Sequence, residues 1–213
     1  MRNLFDGFLY VSISSALLSV VFFFLTKGKG QSVKVLLVLL FDALISDTAN
    51  EIYFRSGYQG DLIGNTYFVT QFLIICQFYV LQLVEKRREI RSVMISFLVI
   101  CIFHFTYNQS INEFQGLFRL LGSAIILYYA GYHCIHIYKT RPTKNLFQFF
   151  PAWFTAAIIY YFSLNLLLFV CANYVFKNAS PEVGVIFWGF HNFNNIVKNI
   201  LFAIGIYKGV EGR

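Results

Sequence analysis

The chain has 213 residues, 58% of them hydrophobic and 13% charged, with a formal charge of +7. These proportions lie outside the usual soluble range, and the apolar runs behind them leave no room for a soluble catalytic domain. The positive charge is spread over short loops instead of gathering in a basic tract, which argues against nucleic acid as a partner.

A hydrocarbon core of about 30 Å takes about 20 helical residues, and lipid obliges each span to satisfy its own backbone hydrogen bonds. On that measure the sequence predicts an all-α, polytopic membrane protein. It would be a single domain, 1–213, with seven transmembrane helices at 4–25, 35–54, 62–84, 92–107, 117–138, 149–176 and 183–207. The first run is too long for a signal peptide, holds Asp6 and is followed by Lys27 and Lys29, with no A-x-A-like site.

The second helix reads VLLVLLFDALISDTANEIYF, with Asp42 near mid-span and Asp47, Asn50 and Glu51 towards one end. Residues 47, 50 and 51 share a helical face. A carboxylate at the bilayer centre costs about 2.5–3.5 kcal/mol on insertion scales, so Asp42 and Asp47 call for partners inside the bundle. Glu51 lies close enough to the interface to be exposed. The third helix has a polar side in Asn65, Thr70 and Gln77, expected to hydrogen-bond between helices. The fourth is the weakest span, short and ending in His104, Thr106 and Tyr107. The fifth carries Arg119 just inside its outer end, either paired with Glu51 or snorkelling to the interface. Ser163 and Asn165 give the sixth a weaker polar side.

The seventh helix reads VGVIFWGFHNFNNIVKNILFAIGIY. His191, Asn194 or Asn195, and Lys198 form one stripe at helical spacing, and Asn192, Asn195 and Asn199 form a second beside it. Helical rise puts Lys198 about 14 Å and Asp42 about 12 Å from the same membrane face. That match predicts an Asp42–Lys198 ion pair, either a packing lock or a functional site. The polar residues together predict a cavity bounded by the second, third and seventh helices. Its last helix carries no side chain stronger than a Tyr hydroxyl over residues 200–207, so the cavity should close below Lys198 and open past Asp47, Glu51 and Arg119.

Charge placement predicts the topology. Lys27, Lys29, Lys34, Lys86, Arg87, Arg88, Arg91, Lys139, Arg141, Lys144, Lys208 and Arg213 fall on one side, and Arg2, Arg55 and Lys177 on the other. The positive-inside rule then places the N-terminus outside and the C-terminus in the cytoplasm. Short links predict that consecutive helices are antiparallel neighbours. Cys76, Cys101, Cys134 and Cys171 all lie in predicted spans, which speaks for small core residues and against a disulfide framework. Tyr53, Tyr107, Tyr174 and Trp188 at one interface, and Tyr138, Trp153 and Tyr207 at the other, read as aromatic belts.

No Walker-type loop, G-x-S-x-G elbow or CxxC pair occurs. A seven-helix chain with Lys198 in its last span invites comparison with retinal-binding opsins, and a divergent opsin stays open as an alternative. Against it, the third span has no acid for a counter-ion and no Trp to wall a polyene. Seven-helix zinc hydrolases of the ceramidase-like group need H-x-x-x-H in the last helix, where this chain has His191-x-x-x-Asn195. His133 and His136 have no acid or Cys ligand set nearby, so no metal and no cofactor are expected.

The segments NTYFVTQFLIICQFYVLQL, PAWFTAAIIYYFSLNLLLFVCANYVF and NNIVKNILFAIGIYKG resemble those of small seven-helix membrane proteins found widely in Bacteroidetes. The resemblance spans the second to seventh helices. It implies this fold and a bacterial inner membrane, and it transfers no active site.

The sequence therefore points to a non-enzymatic inner-membrane protein that senses or binds a small or lipidic ligand in a cavity. The candidate residues are Asp42, Asp47, Asn50, Glu51, Thr70, Gln77, Arg119, His191, Asn194, Asn195 and Lys198. Its partners would be the lipid bilayer and a signalling protein at the basic loops, with a homo-oligomer open. The alternative is an ion or proton channel or transporter.

Overall fold

The computed structural model describes residues 2–25, 30–57, 61–107, 111, 115–140 and 146–211. Among them lie seven α-helices: α1 Arg2–Leu25, α2 Gln31–Arg55, α3 Leu62–Gln82, α4 Arg87–Tyr107, α5 Gly116–Thr140, α6 Phe150–Asn178 and α7 Pro181–Glu211. One-turn 3-10 helices, Val84–Lys86 and Leu146–Gln148, precede α4 and α6. Four stretches are long and apolar enough to cross a membrane: Leu62–Gln82, Val84–Tyr107, Gly116–Thr140 and Phe150–Ala172. A shorter apolar stretch, Tyr10–Leu25, lies in α1. Large apolar side chains such as Val11, Ile45, Ile102, Leu121, Leu167 and Ile186 are exposed on the outside of the bundle, as in a protein solvated by hydrocarbon.

The helices outrun the apolar runs because charged residues continue them. The greatest extension at a single end is in α4, which begins at Arg87 instead of residue 92. The link from α3 is a single 3-10 turn pinned by fully buried Leu83, and Lys86 reaches Glu89 at 2.6 Å across the start of α4. A criterion built on apolar length misses such a polar first turn.

Packing closes six helices into a ring. α1 touches α2 and α7, α2 touches α3, α3 touches α5, α5 touches α6 and α6 touches α7. α4 lies outside the ring against α3, and it is the least buried of the four apolar stretches. It buries a narrow seam, Ile90, Phe97 and Cys101, at the seven- and four-residue spacing of one helical face. Phe97 stacks on Phe72 of α3 and Phe118 of α5, so α4 also reaches its other chain neighbour.

The ends of the bundle differ in charge. Lys34, Lys86, Arg87, Arg88, Arg91, Lys139 and Lys208 gather where α7 finishes, here the basic end, and Arg55 stands at the far end. Lys27, Lys29, Arg141, Lys144 and Arg213 lie outside the described residues, as do the side chains of Arg2, Asp6 and Lys177. At the basic end α6 approaches α7 closely: a Cβ on Gly205 would stand 2.6 Å from Trp153 Cβ. Trp153 is thereby a packing residue between helices. Cys76 and Cys101 are buried as expected, whereas Cys134 and Cys171 are exposed.

Candidate functional site

The polar residues within the ring fall into layers. Nearest the far end, Arg119 is 6% exposed and pairs with Asp61, whose own backbone carbonyl starts α3 by accepting from Asn65 N–H. Its guanidinium also donates to Asn65 Oδ1 at 3.0 Å and lies 5.8 Å from the Phe169 ring. Gly64 makes room for the pair: a Cβ there would collide with Asp61 and stand 2.9 Å from Arg119 Nη2. Burial pushes the Asp61 carboxyl above its ordinary range, against the downward pull of the Arg119 guanidinium.

One layer further in, His191 Nδ1 meets Asn165 Oδ1 at 2.7 Å, with the Trp188 ring edge-on at 5.0 Å. His191 lies in the fields of both Lys198 and Arg119, so the two layers are electrostatically continuous. Next comes Lys198, 2% exposed, its Nζ 4.4 Å from the centroid of the Tyr161 ring. The carboxylate acting on it is Asp47. Tyr67, which accepts from Gln71 at 2.9 Å, faces Asp47, Asp42 and Tyr161. Asp42 accepts from the Thr70 hydroxyl at 2.8 Å.

Below this layer the interior turns aromatic. Phe78, Phe154 and Phe202 are all fully buried, with Phe78 stacked on Phe154 at 3.7 Å and Phe154 on Phe202 at 5.2 Å. The arrangement follows from single helical faces. On α6, residues 154, 158, 161, 165 and 169 form one stripe; on α7, residues 191, 194, 198 and 202 form another. The α7 stripe runs from polar at the far end to Phe202 at the basic end, and the α6 stripe carries Tyr161 and Asn165 between Phe169 at the far end and Phe154 at the basic end.

Several expected placements need correction. Lys198 lies in the field of Asp47, and among the described residues no ion pair joins it to Asp42. Helical side chains tilt back towards their own N-terminus, and α2 and α7 run in opposite directions. Tilt of this kind favours Asp47 over Asp42 as the carboxylate nearer to Lys198. Arg119 neither pairs with Glu51 nor snorkels; Asp61, in the connection before α3, holds it inside. Glu51 instead pairs with Arg55 at 2.5 Å, and Arg55 also donates to Tyr10 of α1. Asn50 and Gln77 are exposed on the outer surface and do not line the interior. The polar interior is bounded by α5 and α6 as well as by α2, α3 and α7.

Asn195 belongs to a different contact. It donates to Ser12 at 2.9 Å, Asn199 donates to Ser15 at 2.8 Å, and Ser19 donates to the Asn199 carbonyl at 2.9 Å. This zipper joins α1 to α7. Its signal was present in the sequence as Ser12, Ser15 and Ser19 at helical spacing, opposite the second asparagine stripe. Asn195→Ala is expected to lower stability by about 0.6–1.7 kcal/mol, the range for interhelical bonds in lipid; unfolding of the detergent-solubilised variant measures it. Tyr161, Tyr67 and Asp61 were also missed, because tyrosines look like belt residues and Asp61 lies outside any span.

A second buried polar contact lies near the basic end, where His133 Nδ1 meets Thr155 Oγ1 at 2.7 Å. His136 pairs instead with Glu85 at 3.2 Å, so the two histidines do not converge. Among the described residues no three His, Cys, Asp or Glu side chains group as metal ligands.

Comparison with family models, with curated proteins and with solved structures found no match for the chain.

Proposed function

We propose that this chain is a seven-span protein of a bacterial inner membrane, with its N-terminus outside, that binds a small ligand inside the ring and signals through a partner protein. The observation that carries the reading is Lys198: a cation 2% exposed, resting on the Tyr161 ring, above a floor of stacked phenylalanines. A buried charge in lipid is expensive and marks a functional position by default. An aromatic floor below it suits a pocket open towards one membrane face and not a path from face to face. The basic end supports a cytoplasmic C-terminus through the positive-inside rule, and the resemblance to Bacteroidetes membrane proteins supports the inner membrane.

Single-Cys labelling tests both claims, in a background lacking the four native cysteines. Lys86→Cys is expected to react only from the cytoplasmic side; labelling from the periplasm in intact cells would reverse the topology. Thr70→Cys, beside Asp42, is expected to react from the periplasmic side alone. Reaction from the cytoplasmic side, together with ion flux in liposomes, would promote the conduit reading in its place.

A further inference from the structure

Three polar groups around Lys198 lack the partners their chemistry calls for. Lys198 has three N–H donors, yet among the described residues no carboxylate oxygen comes within 4.0 Å of its Nζ, and its near neighbour is the face of Tyr161. Asn194, one turn away on the same face of α7, is fully buried; its Oδ1 accepts from Tyr160 at 3.3 Å and its Nδ2 has no acceptor among the described residues. Asp47, across the interior on α2, lies in the field of Lys198, and no hydrogen-bond donor reaches it among the described residues. Donors are thus left over on α7 and an acceptor is left over on α2, too far apart to satisfy one another. Native interiors rarely leave such groups unmade, because each costs its full desolvation.

Charge points the same way. With Asp61 and Arg119 paired, Lys198 lies in the field of Asp47, Asp47 lies in that of Asp42, and Thr70 satisfies Asp42 only in part. A ligand that fits must present an anionic acceptor to α7 and a cationic donor to α2. A lone carboxylate would leave Asp47 without a donor. A lone amine would leave Lys198 and Asn194 without an acceptor.

We propose that the interior site takes a zwitterion of the amino-acid type, its carboxylate on Lys198 Nζ and Asn194 Nδ2 and its ammonium on Asp47. The inference rests on the ligand-binding reading above and narrows it to one chemical class.

The test uses the full chain in detergent micelles, with unfolding temperature and calorimetry as readouts. The probes are the standard amino acids one at a time, their methyl esters and their N-acetyl derivatives. At least one free amino acid should raise the unfolding temperature, as any ligand selective for the native state does. Its ester and N-acetyl forms should bind about tenfold or more weakly, the loss of one charge-assisted hydrogen bond. Asp47→Asn should bring the free acid down to the affinity of its N-acetyl form, and Asn194→Ala should weaken it while sparing the ester. Micelles containing phosphatidylserine, whose head group carries the same ammonium and carboxylate, separate a lipid source from a free one; stabilisation by either supports the class. Equal binding of free and N-acetylated acids, indifferent to Asp47→Asn, would overturn the zwitterion and leave an oxyanion site. Should Asp47→Asn fail to fold, the comparison of the three probe series on the unaltered protein decides alone. If no probe binds, the zwitterion is overturned, and the wider reading stands or falls on the one-sided access of Thr70→Cys.

Discussion

Asp61→Ala is expected to destabilise the protein by about 3 kcal/mol, the lower end of the range for removing one partner of a buried ion pair. The reason is the inequality of the partners. Arg119 has a side chain only 7% exposed, whereas Asp61 is 23% exposed. Removing the carboxylate leaves a guanidinium in the bundle beside Asn65 and the Phe169 ring, neither of them an anion. The double variant Asp61→Ala with Arg119→Leu should recover much of the loss, because the pair itself returns little beyond its own desolvation. Unfolding of the detergent-solubilised variants measures both effects. A single variant as stable as the parent would show that the pair does not hold α3 to α5. Gly64→Ala is a second probe of the same contact, since its methyl group would displace the two charges from each other.

Phe154→Ala is expected to cost about 3 kcal/mol and to open the floor of the interior. Large-to-small changes of Phe in soluble cores cost about 3–5 kcal/mol, from lost contacts and the cavity left behind. Within a bilayer the lost packing remains, and transfer from water contributes less, so the lower figure applies. Phe154 is the middle ring of the floor, stacked on Phe78 on one side and Phe202 on the other, and Phe150 is near it at 6.2 Å. Its loss removes the ring that both neighbours share. The functional readout is access: Thr70→Cys, expected to react from one side in the parent, should become reactive from the side of the basic end as well in the Phe154→Ala background. If access stays one-sided while stability falls, closure lies elsewhere in the bundle.

These two sites differ in how far they could be read from the chain. An apolar stretch after Lys198 was legible in outline, although not which rings stack there. The Asp61–Arg119 pair was not legible. Asp61 sits before α3, in a connection whose acidic residue reads as solvated, and only the approach of α3 to α5 turns it inward. The Lys198 layer lies between these cases. Lys198, His191 and Asn194 share one helical face by spacing alone, and Asp47 and Asp42 had to find partners because hydrocarbon supplies none. The choice of Asp47 depended on side-chain tilt in two antiparallel helices, which matching residue depth ignores.

By itself the sequence determined the all-α class, the number of helices and the polar stripes of α7, because lipid-length apolar runs and a period of 3.6 residues are local properties. It also determined that one end of the bundle is basic. Only the tertiary structure decided which helices form the ring, that α4 stands outside it, that Asn195 faces α1 while Asn194 faces inward, and which carboxylate serves which cation. Helix faces follow from spacing along one chain segment. Partners follow from how segments rotate and approach one another, and for apolar helices many such arrangements bury similar surface until a few polar contacts, Ser12 to Asn195 and Asp61 to Arg119 among them, select one.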